Sequence, residues 1–349
     1  MTPPLPFGLS THGDVVAVLD EQAQPPDAIR QLAAALARQG LLALFACLTE
    51  RASARAGWPA DVTARLDASL VRGRAVAMRW DHALARMGQA FAAAQVPVAV
   101  FKGADLSFHA YPEPGLRKMA DADILVEESA LGRARDVLRS LGFEQDTSCY
   151  SQDWYECCLQ QLPPMADARG IEIDAHGALV SSYSPHAVPD ADVWAGMRPS
   201  RWPGILRLGR VWAVWHLAMH GAIRHGAASG AASRAVVDLL ALLAHVADEP
   251  IDWPALLALA DRTGLAFAVS DLLAAAVRQP GTACLQPFAA QAASLAHARR
   301  VRERRLHVVH RIRHATPFLG TRMAVSPEVV MQVIRRPLRL LRGRLAARD

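Results

Sequence analysis

Hydrophobic periodicity changes twice along the chain, and these two changes constrain the fold more than any other feature. Residues 27–56 and 60–94 carry apolar side chains at three- and four-residue spacing, which predicts a helix or helix pair and then a further helix with Asp61 as its cap. Short apolar segments begin at residue 96, and helical spacing returns after residue 204. The chain is therefore expected to fold as helices, a small sheet with a crossing helix, and helices again.

Three central segments have the composition of strands. "VPVAVF", residues 96–101, and "ADADILV", residues 120–126, are short and apolar, as buried strands are. "GIEIDAHGALV", residues 170–180, alternates apolar and polar side chains, so its polar residues share one face. These segments are expected to form the sheet.

Two further segments lie between the second and third of these strands. "SALGRARDVLRSLGF", residues 129–143, predicts an amphipathic helix with Ser129 as its cap and Gly142 as its stop. "CYSQDWYECCLQQL", residues 149–162, is expected to form one strand or two. The helix would cross from one part of the sheet to the next.

Two carboxylates stand two residues apart on the second strand. Asp121 and Asp123 therefore project from one face, where they repel each other unless a cation lies between them. A third carboxylate on a neighbouring strand would complete a cage of oxygen ligands for a divalent ion such as Mg²⁺. Either Asp174 or Glu172, which share a face of the third strand, could supply it.

The first strand leads through "FKGADL" into the start of a helix. Such a turn directs backbone N–H groups outward and suits a phosphate, and Gly103 permits close approach of the backbone. Lys102 is one of only two lysines beside 36 arginines, which indicates either a need for a compact point charge or chance survival. A metal cage beside a phosphate site predicts nucleotidyl transfer.

Residues 100–126, "VFKGADLSFHAYPEPGLRKMADADILV", resemble the signature of the uncharacterised nucleotidyltransferase family within the DNA polymerase β superfamily. The shared pattern includes a lysine–glycine turn, the "YPEPG" loop, an arginine and the two aspartates. The resemblance continues in "IEIDAHGAL" and spans residues 80–275. It implies an α+β fold in which a small mixed-sheet, polymerase-β-like palm is flanked by N-terminal and C-terminal helical regions.

The resemblance also implies roles for individual residues. Asp121 and Asp123 would be metal ligands, with Asp174 as the third, for two ions of Mg²⁺ or Mn²⁺. Lys102, Gly103, Arg117 and Lys118 would bind the phosphates of an NTP, with ATP as the expected nucleotide. The family arginine corresponds to Arg117, whereas Lys118 stands at a variable position, where a solvated side chain is the favoured interpretation. Ala104 replaces the usual serine after Gly103, and Lys102 could supply the missing contact.

Some polar residues have two interpretations from the sequence. His176 either touches nucleotide or acceptor, as Glu172 could, or is a partly buried histidine bonded to a neighbouring strand. His216 and His220 have a metal-compatible spacing, but helix packing or an acceptor contact is the favoured interpretation. Tyr111 is expected to pack the "YPEPG" loop, and Asp238 to cap or pair within the C-terminal helices.

The predicted organisation has three parts: a helical region at 1–79, the palm at 80–183, and a helical domain with a basic tail at 205–349. Residues 299–349 contain 14 arginines and three acidic residues, a net charge of +11, which leaves −6 for the remainder of a chain of net charge +5. This tail indicates a polyanionic partner, an acidic groove on another subunit, or a solvated helix face.

The expected activity is transfer of a nucleoside monophosphate to a hydroxyl or similar group of a protein, peptide or small-molecule acceptor. The alternatives are a non-catalytic scaffold that binds nucleotide or a partner, and a nucleic-acid-binding protein that uses the basic tail. Five cysteines without a CxxC pair, and an N-terminus unlike a signal peptide, predict a cytoplasmic protein with reduced thiols. No membrane span is predicted.

Overall fold

The computed structural model describes residues 25–50, 55, 57–147, 151–181, 184–221, 230–244, 249–279 and 282–315. The described part of the chain begins with three helices, α1 (Pro26–Gln39), α2 (Leu42–Glu50) and α3 (Ala60–Ala93). The predicted helix pair is confirmed, and Gly40 separates its members with a left-handed φ of 73°. Asp61 is not the cap of α3. It lies in the first turn, where it accepts hydrogen bonds from Arg30, and Pro59 precedes the helix.

The central region alternates short strands and helices. In chain order these are β1 (Ala99–Phe101), α4 (Lys102–His109), β2 (Ala122–Leu125), α5 (Leu131–Ser140), β3 (Glu144–Gln145), α6 (Gln152–Leu159), β4 (Met165–Ala166), β5 (Glu172–His176), α7 (Asp190–Ala195), β6 (Met197–Pro199) and β7 (Leu206–Leu208). The three predicted strands correspond to β1, β2 and β5, and the predicted crossing helix to α5.

Two local predictions in this region were wrong. Ser129 does not cap α5, because it lies in a short 3-10 turn and the helix begins at Leu131 without a side-chain cap. Gly142 does end that helix, with a φ of 90°. Within the segment expected to form one or two strands, residues 152–159 form helix α6, in which Gln152 donates to Glu156 one turn later at 2.8 Å, and residues 149 and 150 lie outside the described residues.

The seven strands form one mixed sheet in the order β3-β4-β5-β2-β1-β7-β6. The pairs β2–β5 and β1–β7 are parallel, and the other neighbours are antiparallel. Register places Asp123 opposite Phe101 on one side and opposite Asp174 on the other. The sheet therefore brings the carboxylates of its two central parallel strands together.

Helices return after the sheet: α8 (Arg210–Met219), α9 (Gly230–Ala244), α10 (Trp253–Thr263), α11 (Ala266–Val277) and α12 (Gln286–Ala315). They share a core with α1, α2 and the first half of α3, where Leu66 is fully buried. The second half of α3 packs Leu84, Met87 and Phe91 into a separate core with the sheet. The fold is α+β, a mixed seven-stranded sheet flanked by helices, as the resemblance implied.

The three-part domain division stays a prediction. Helix α3 runs without interruption through residues 79 and 80, where the first boundary was placed, and β6 and β7 extend the sheet beyond residue 183. Residues 316–349 of the basic tail lie outside the described residues. Within the described part of the chain, no helix has both the length and the apolar character needed to cross a membrane.

Candidate active site

Asp123, Asp174 and His176 form the centre of the site. Parallel pairing of β2 with β5 puts Asp123 beside Asp174, and His176 follows two residues later on the same face of β5. One carboxylate oxygen from each aspartate and one ring nitrogen of the histidine all lie within 4.8 Å of one another. Two carboxylates and an imidazole at this spacing are a ligand set for a divalent cation.

Asp123 is the buried anion of this cluster. Its Oδ1 accepts a hydrogen bond from Lys102 Nζ at 2.5 Å and lies 3.0 Å from His176 Nε2. Burial alone would raise the pKa of Asp123, but the charge of Lys102 and the hydrogen bond from His176 together hold it well below its usual range. Asp123 is therefore ionised at every physiological pH.

Asp174 is in the opposite electrostatic situation. Burial, followed by the charges of Asp123 and Asp121, raises the pKa of Asp174 to about 7. Its buried Oδ1 has no hydrogen-bond partner among the described residues. A buried carboxylate oxygen without a partner is unfavourable unless a proton or a cation is supplied. The donor set of the cluster thus fits a bound divalent ion.

The other candidate carboxylates lie at the margin of the cluster. Asp121 immediately precedes β2 and is half-buried, and burial followed by the charge of Asp123 raises its pKa. It is not among the three residues whose ligand atoms lie within 4.8 Å. Glu172 is exposed at the start of β5. Of the two carboxylates that the sequence left open, Asp174 is the one within the cluster, and its role as metal ligand stays a prediction.

Lys102 occupies a constrained backbone position between β1 and α4. It has a left-handed φ of 52°, which is unusual for a residue with a side chain, and its ammonium lies 5.0 Å from the centre of the Phe101 ring. Gly103, expected in a turn at the start of the helix, is buried in the first turn of α4. A Cβ built on Gly103 would lie 2.9 Å from Arg117 Nη1, so any larger residue there would displace the Arg117 guanidinium.

Arg117 is fixed by a residue that the sequence did not connect to the site. Asp238 on α9 accepts from Arg117 Nε at 2.8 Å and from Nη2 at 3.0 Å, and also from the Tyr111 hydroxyl at 2.8 Å. The Asp238 side chain is 2% exposed and that of Arg117 is 12% exposed. Asp238 thus holds the Arg117 guanidinium through Nε and Nη2, while the third nitrogen, Nη1, lies next to Gly103.

This network corrects two expectations. Asp238 does not pair within the C-terminal helices but bonds to Arg117 and Tyr111 in the loop before β2. Tyr111, which was expected to pack the "YPEPG" loop, also donates a hydrogen bond from its hydroxyl to Asp238. The signal in the sequence was a single acid in the apolar run "AVVDLLALL", because a buried carboxylate needs hydrogen-bond partners. Lys118, by contrast, is exposed.

Two histidines flank the Phe101 ring beside the cluster. The His176 and His216 rings meet it edge-on, with centroids 5.2 and 5.4 Å away. Burial, followed by His220 and Lys102, lowers the pKa of His216 well below its usual value, so His216 is neutral at pH 7. His216 also stacks on His220, with ring centroids 5.7 Å apart, and the expected role of the two histidines stays a prediction.

Comparison with known proteins adds one result to this geometry. A family model described as "Uncharacterised nucleotidyltransferase" matches residues 25–278. No curated protein and no solved structure matches the chain. The match covers α1 to α11, so it extends well beyond the resemblance that the central motif carries. The chain belongs to this uncharacterised nucleotidyltransferase family and is a nucleotidyltransferase.

Proposed function

We propose that the protein transfers a nucleoside monophosphate from an NTP, with ATP as the donor, to a hydroxyl of a protein, peptide or small-molecule acceptor. The observation that carries this proposal is the cluster of Asp123, Asp174 and His176, in which Asp174 Oδ1 has no hydrogen-bond partner within the described part of the chain. A member of a nucleotidyltransferase family that places such a cluster on adjacent strands has the ligands its chemistry requires.

Asp123 and Asp174 would hold the divalent ion, with His176 beside them and Asp121 as a further ligand at the margin. Two ions of Mg²⁺ or Mn²⁺ would neutralise phosphate charge and lower the pKa of the acceptor hydroxyl. The carboxylate oxygens of Asp123 and Asp174 suit either Mg²⁺ or Mn²⁺. His176 also orients Asp123 through its Nε2.

The cationic side chains of the site would bind the triphosphate. Lys102 already lies against Asp123, and Arg117 is directed at Gly103 by Asp238, so both cations adjoin the first turn of α4. Lys102 is a point charge on a flexible stem, which allows it to contact phosphate oxygens without losing Asp123 as its neighbour. Arg117 is pre-organised, so little side-chain entropy is lost when it binds a phosphate.

The reaction follows from this arrangement. The acceptor hydroxyl oxygen forms a bond to the α-phosphorus of the NTP, and the bond from that phosphorus to the bridging oxygen of the β-phosphate breaks. Pyrophosphate leaves with the electron pair of the broken bond, and the hydroxyl proton passes to a carboxylate oxygen of Asp174. The side chains position the reactants and stabilise charge, as in other phosphoryl transfers.

Two further properties belong to the proposal. The cytoplasm is the proposed location, and the described cysteines Cys47 and Cys284, which form no disulfide, are compatible with it. A polyanionic partner is proposed for residues 299–349. Arg299 and Arg302 already contact Asp261 on α10, so such a partner would engage the other arginines of this segment.

Labelled nucleotides test the proposed function. The full chain is incubated with a cell lysate, Mg²⁺ or Mn²⁺, and ATP labelled at either the α- or the γ-phosphate. Label from the α-position should enter an acceptor, and label from the γ-position should not. Asp123→Asn and Asp174→Asn should abolish transfer, and Glu172→Gln should retain it. Transfer of the γ-label, or full transfer by both aspartate variants, contradicts the proposed function.

A further inference from the structure

A cavity of about 430 Å³ lies between the N-terminal helices and the loop that precedes β2. Helix α3 forms one wall, and residues 115–119 form the opposite wall. Gly73 and Gly115 allow these walls to meet, since a Cβ on Gly73 would lie 2.5 Å from the Gly115 carbonyl oxygen. The volume falls in the range of small-molecule sites, about 300–1,000 Å³.

The charge of the cavity has one sign. Arg65 and Arg72 stand seven residues apart on α3 and so share a face, while Arg117 and Lys118 lie on the opposite wall. No aspartate or glutamate is among the described residues that line it. Arg117 is paired with Asp238 behind the cavity wall, so three cations, Arg65, Arg72 and Lys118, remain without a carboxylate in the lining and favour an anionic ligand.

These cations differ from their neighbours in how they are paired. Arg74, two residues beyond Arg72 on α3, forms ion pairs with Glu113 and Glu50. Arg65, Arg72 and Lys118 have no ion pair or hydrogen bond from their side chains within the described part of the chain. The carboxylates near α3 thus neutralise an arginine outside the cavity and leave the cavity charges available.

Apart from the hydroxyls of Ser69 and Ser107, the side chains that complete the lining are apolar. Leu42, Val76 and Trp80 contribute to it from the helices, and Leu116 and Met119 from the loop. An inorganic ion would leave this surface uncovered, whereas an organic anion with a compact apolar body would cover it while its charge met the arginines. Single-stranded nucleic acid is bound by stacking successive bases on several aromatic side chains, and among the described residues that line this cavity Trp80 is the aromatic one.

The cavity adjoins the nucleotidyl-transfer site through two shared residues. Arg117 and Met119 line it, and the same two side chains are the neighbours that a Cβ on Gly103 would meet, at 2.9 Å from Nη1 and 3.6 Å from Cγ. A molecule in the cavity would therefore lie next to the first turn of α4, close to Lys102. An acceptor must occupy a position of this kind, beside the nucleotide.

We propose that this cavity binds the acceptor, and that the acceptor is a small organic anion, carrying a phosphate or carboxylate, with an apolar body. The inference rests on the proposed function, because only a transferase needs an acceptor beside the nucleotide. Arg65, Arg72 and Lys118 hold the anionic group, and the apolar lining holds the body. Among the candidate acceptors, this selects a small molecule over a folded protein.

Calorimetry with the full chain and 1-naphthyl phosphate tests the site, with 1-naphthylmethanol as the neutral counterpart. We expect saturable binding of the phosphate and binding of the alcohol that is about tenfold weaker or more, because charge-assisted hydrogen bonds carry the difference. Arg65→Gln combined with Arg72→Gln should weaken binding of the phosphate by about tenfold. The control Arg133→Gln with Arg139→Gln removes equal charge from α5, which does not line the cavity, and should leave binding unchanged.

A second experiment determines whether the cavity binds the acceptor or the phosphates of the nucleotide. The titration is repeated with Mg²⁺ and a non-hydrolysable ATP analogue at saturation. If the cavity holds the acceptor, probe and analogue bind together, whereas displacement of the probe would assign the cavity to the nucleotide's own phosphates and overturn the proposal. The proposal would also be overturned if 1-naphthyl phosphate and 1-naphthylmethanol bound equally well. The same holds if the control variant lost as much affinity for the phosphate as the Arg65→Gln, Arg72→Gln variant. A chain that binds the probe but transfers no label contradicts the proposed function and not the anion site.

Discussion

Replacing Asp174 by asparagine should stabilise the metal-free protein. Burial and the charges of Asp123 and Asp121 raise the pKa of Asp174 from 3.8 to about 7, which means that the folded protein resists ionising this carboxyl. At about 1.4 kcal/mol per pH unit, the unfavourable free energy reaches about 4 kcal/mol once the pH exceeds the folded pKa. Asparagine has no charge to desolvate, although its amide still needs partners, so a net gain of about 1–3 kcal/mol is expected.

The pH dependence has a definite sign. Because the folded state holds a proton that the unfolded chain releases, the wild-type protein loses stability as pH rises from the unfolded pKa of 3.8 to the folded pKa of about 7, and no further above it. The amide that replaces the carboxyl in the variant does not titrate. The advantage of Asp174→Asn should therefore be about 2–3 kcal/mol larger at pH 8 than at pH 5.

Urea denaturation in the presence of a chelator, at pH 5 and pH 8, measures the difference in free energy of unfolding between the variant and the wild type. The same measurement with Mg²⁺ or Mn²⁺ tests whether Asp174 is a metal ligand. Bound metal should stabilise the wild type and not the variant, so the stability advantage of the variant should become smaller or change sign. Glu172→Gln, on the same face of β5 but exposed, should change stability by less than about 0.5 kcal/mol. A variant no more stable than wild type at pH 8, or equal stabilisation of both by metal, would refute the reasoning.

Three further substitutions test other parts of the site. Asp123→Asn should have the opposite effect and destabilise the protein by about 2–4 kcal/mol, because Lys102 and His176 lose the anion they bind; a gain in stability on denaturation would contradict this. Lys102→Arg should fold but transfer label about tenfold more slowly, since a planar fork replaces a point charge at a left-handed backbone position; equal rates would show that arginine serves as well. Asp238→Asn should weaken binding of the ATP analogue by about threefold to tenfold in calorimetry, because Arg117 loses the partner that orients it, whereas Tyr111→Phe, which removes one hydrogen bond and leaves that ion pair, should change binding by less than about twofold.

The parts of the site that the sequence predicted are those encoded over short stretches. Alternation in "IEIDAHGAL" correctly put Asp174 and His176 on one face, and the spacing of Asp121 and Asp123 marked the neighbouring strand. Each inference needed only a two-residue period. Alternation could not choose between Asp174 and Glu172, because they share a face. The family resemblance selected Asp174, and the register of β5 with β2 places Asp174 beside Asp123.

The parts that the sequence did not predict depend on contacts between distant residues. Arg117 and Asp238 are 121 residues apart, and the cationic cavity combines Arg65 and Arg72 of α3 with a loop more than 40 residues later. The helix at 152–159 was mistaken for strand because its aromatic and cysteine residues are common in sheets, although residues 161 and 162 do bond to β5. Tertiary packing, which a single sequence does not display, decided each of these cases.

The two lysines can now be compared in physical terms. Lys102 approaches a buried carboxylate at 2.5 Å from a left-handed backbone position, beside a histidine and close to an aromatic ring. A guanidinium there would present a wider, planar head to a cluster in which Asp123, Asp174 and His176 are already within 4.8 Å of one another. Lys118 is exposed at a cavity where Arg65 and Arg72 provide the same charge, so nothing in its surroundings requires lysine. Of the two, only Lys102 stands where the chemistry of the site distinguishes lysine from the arginine that the chain uses elsewhere.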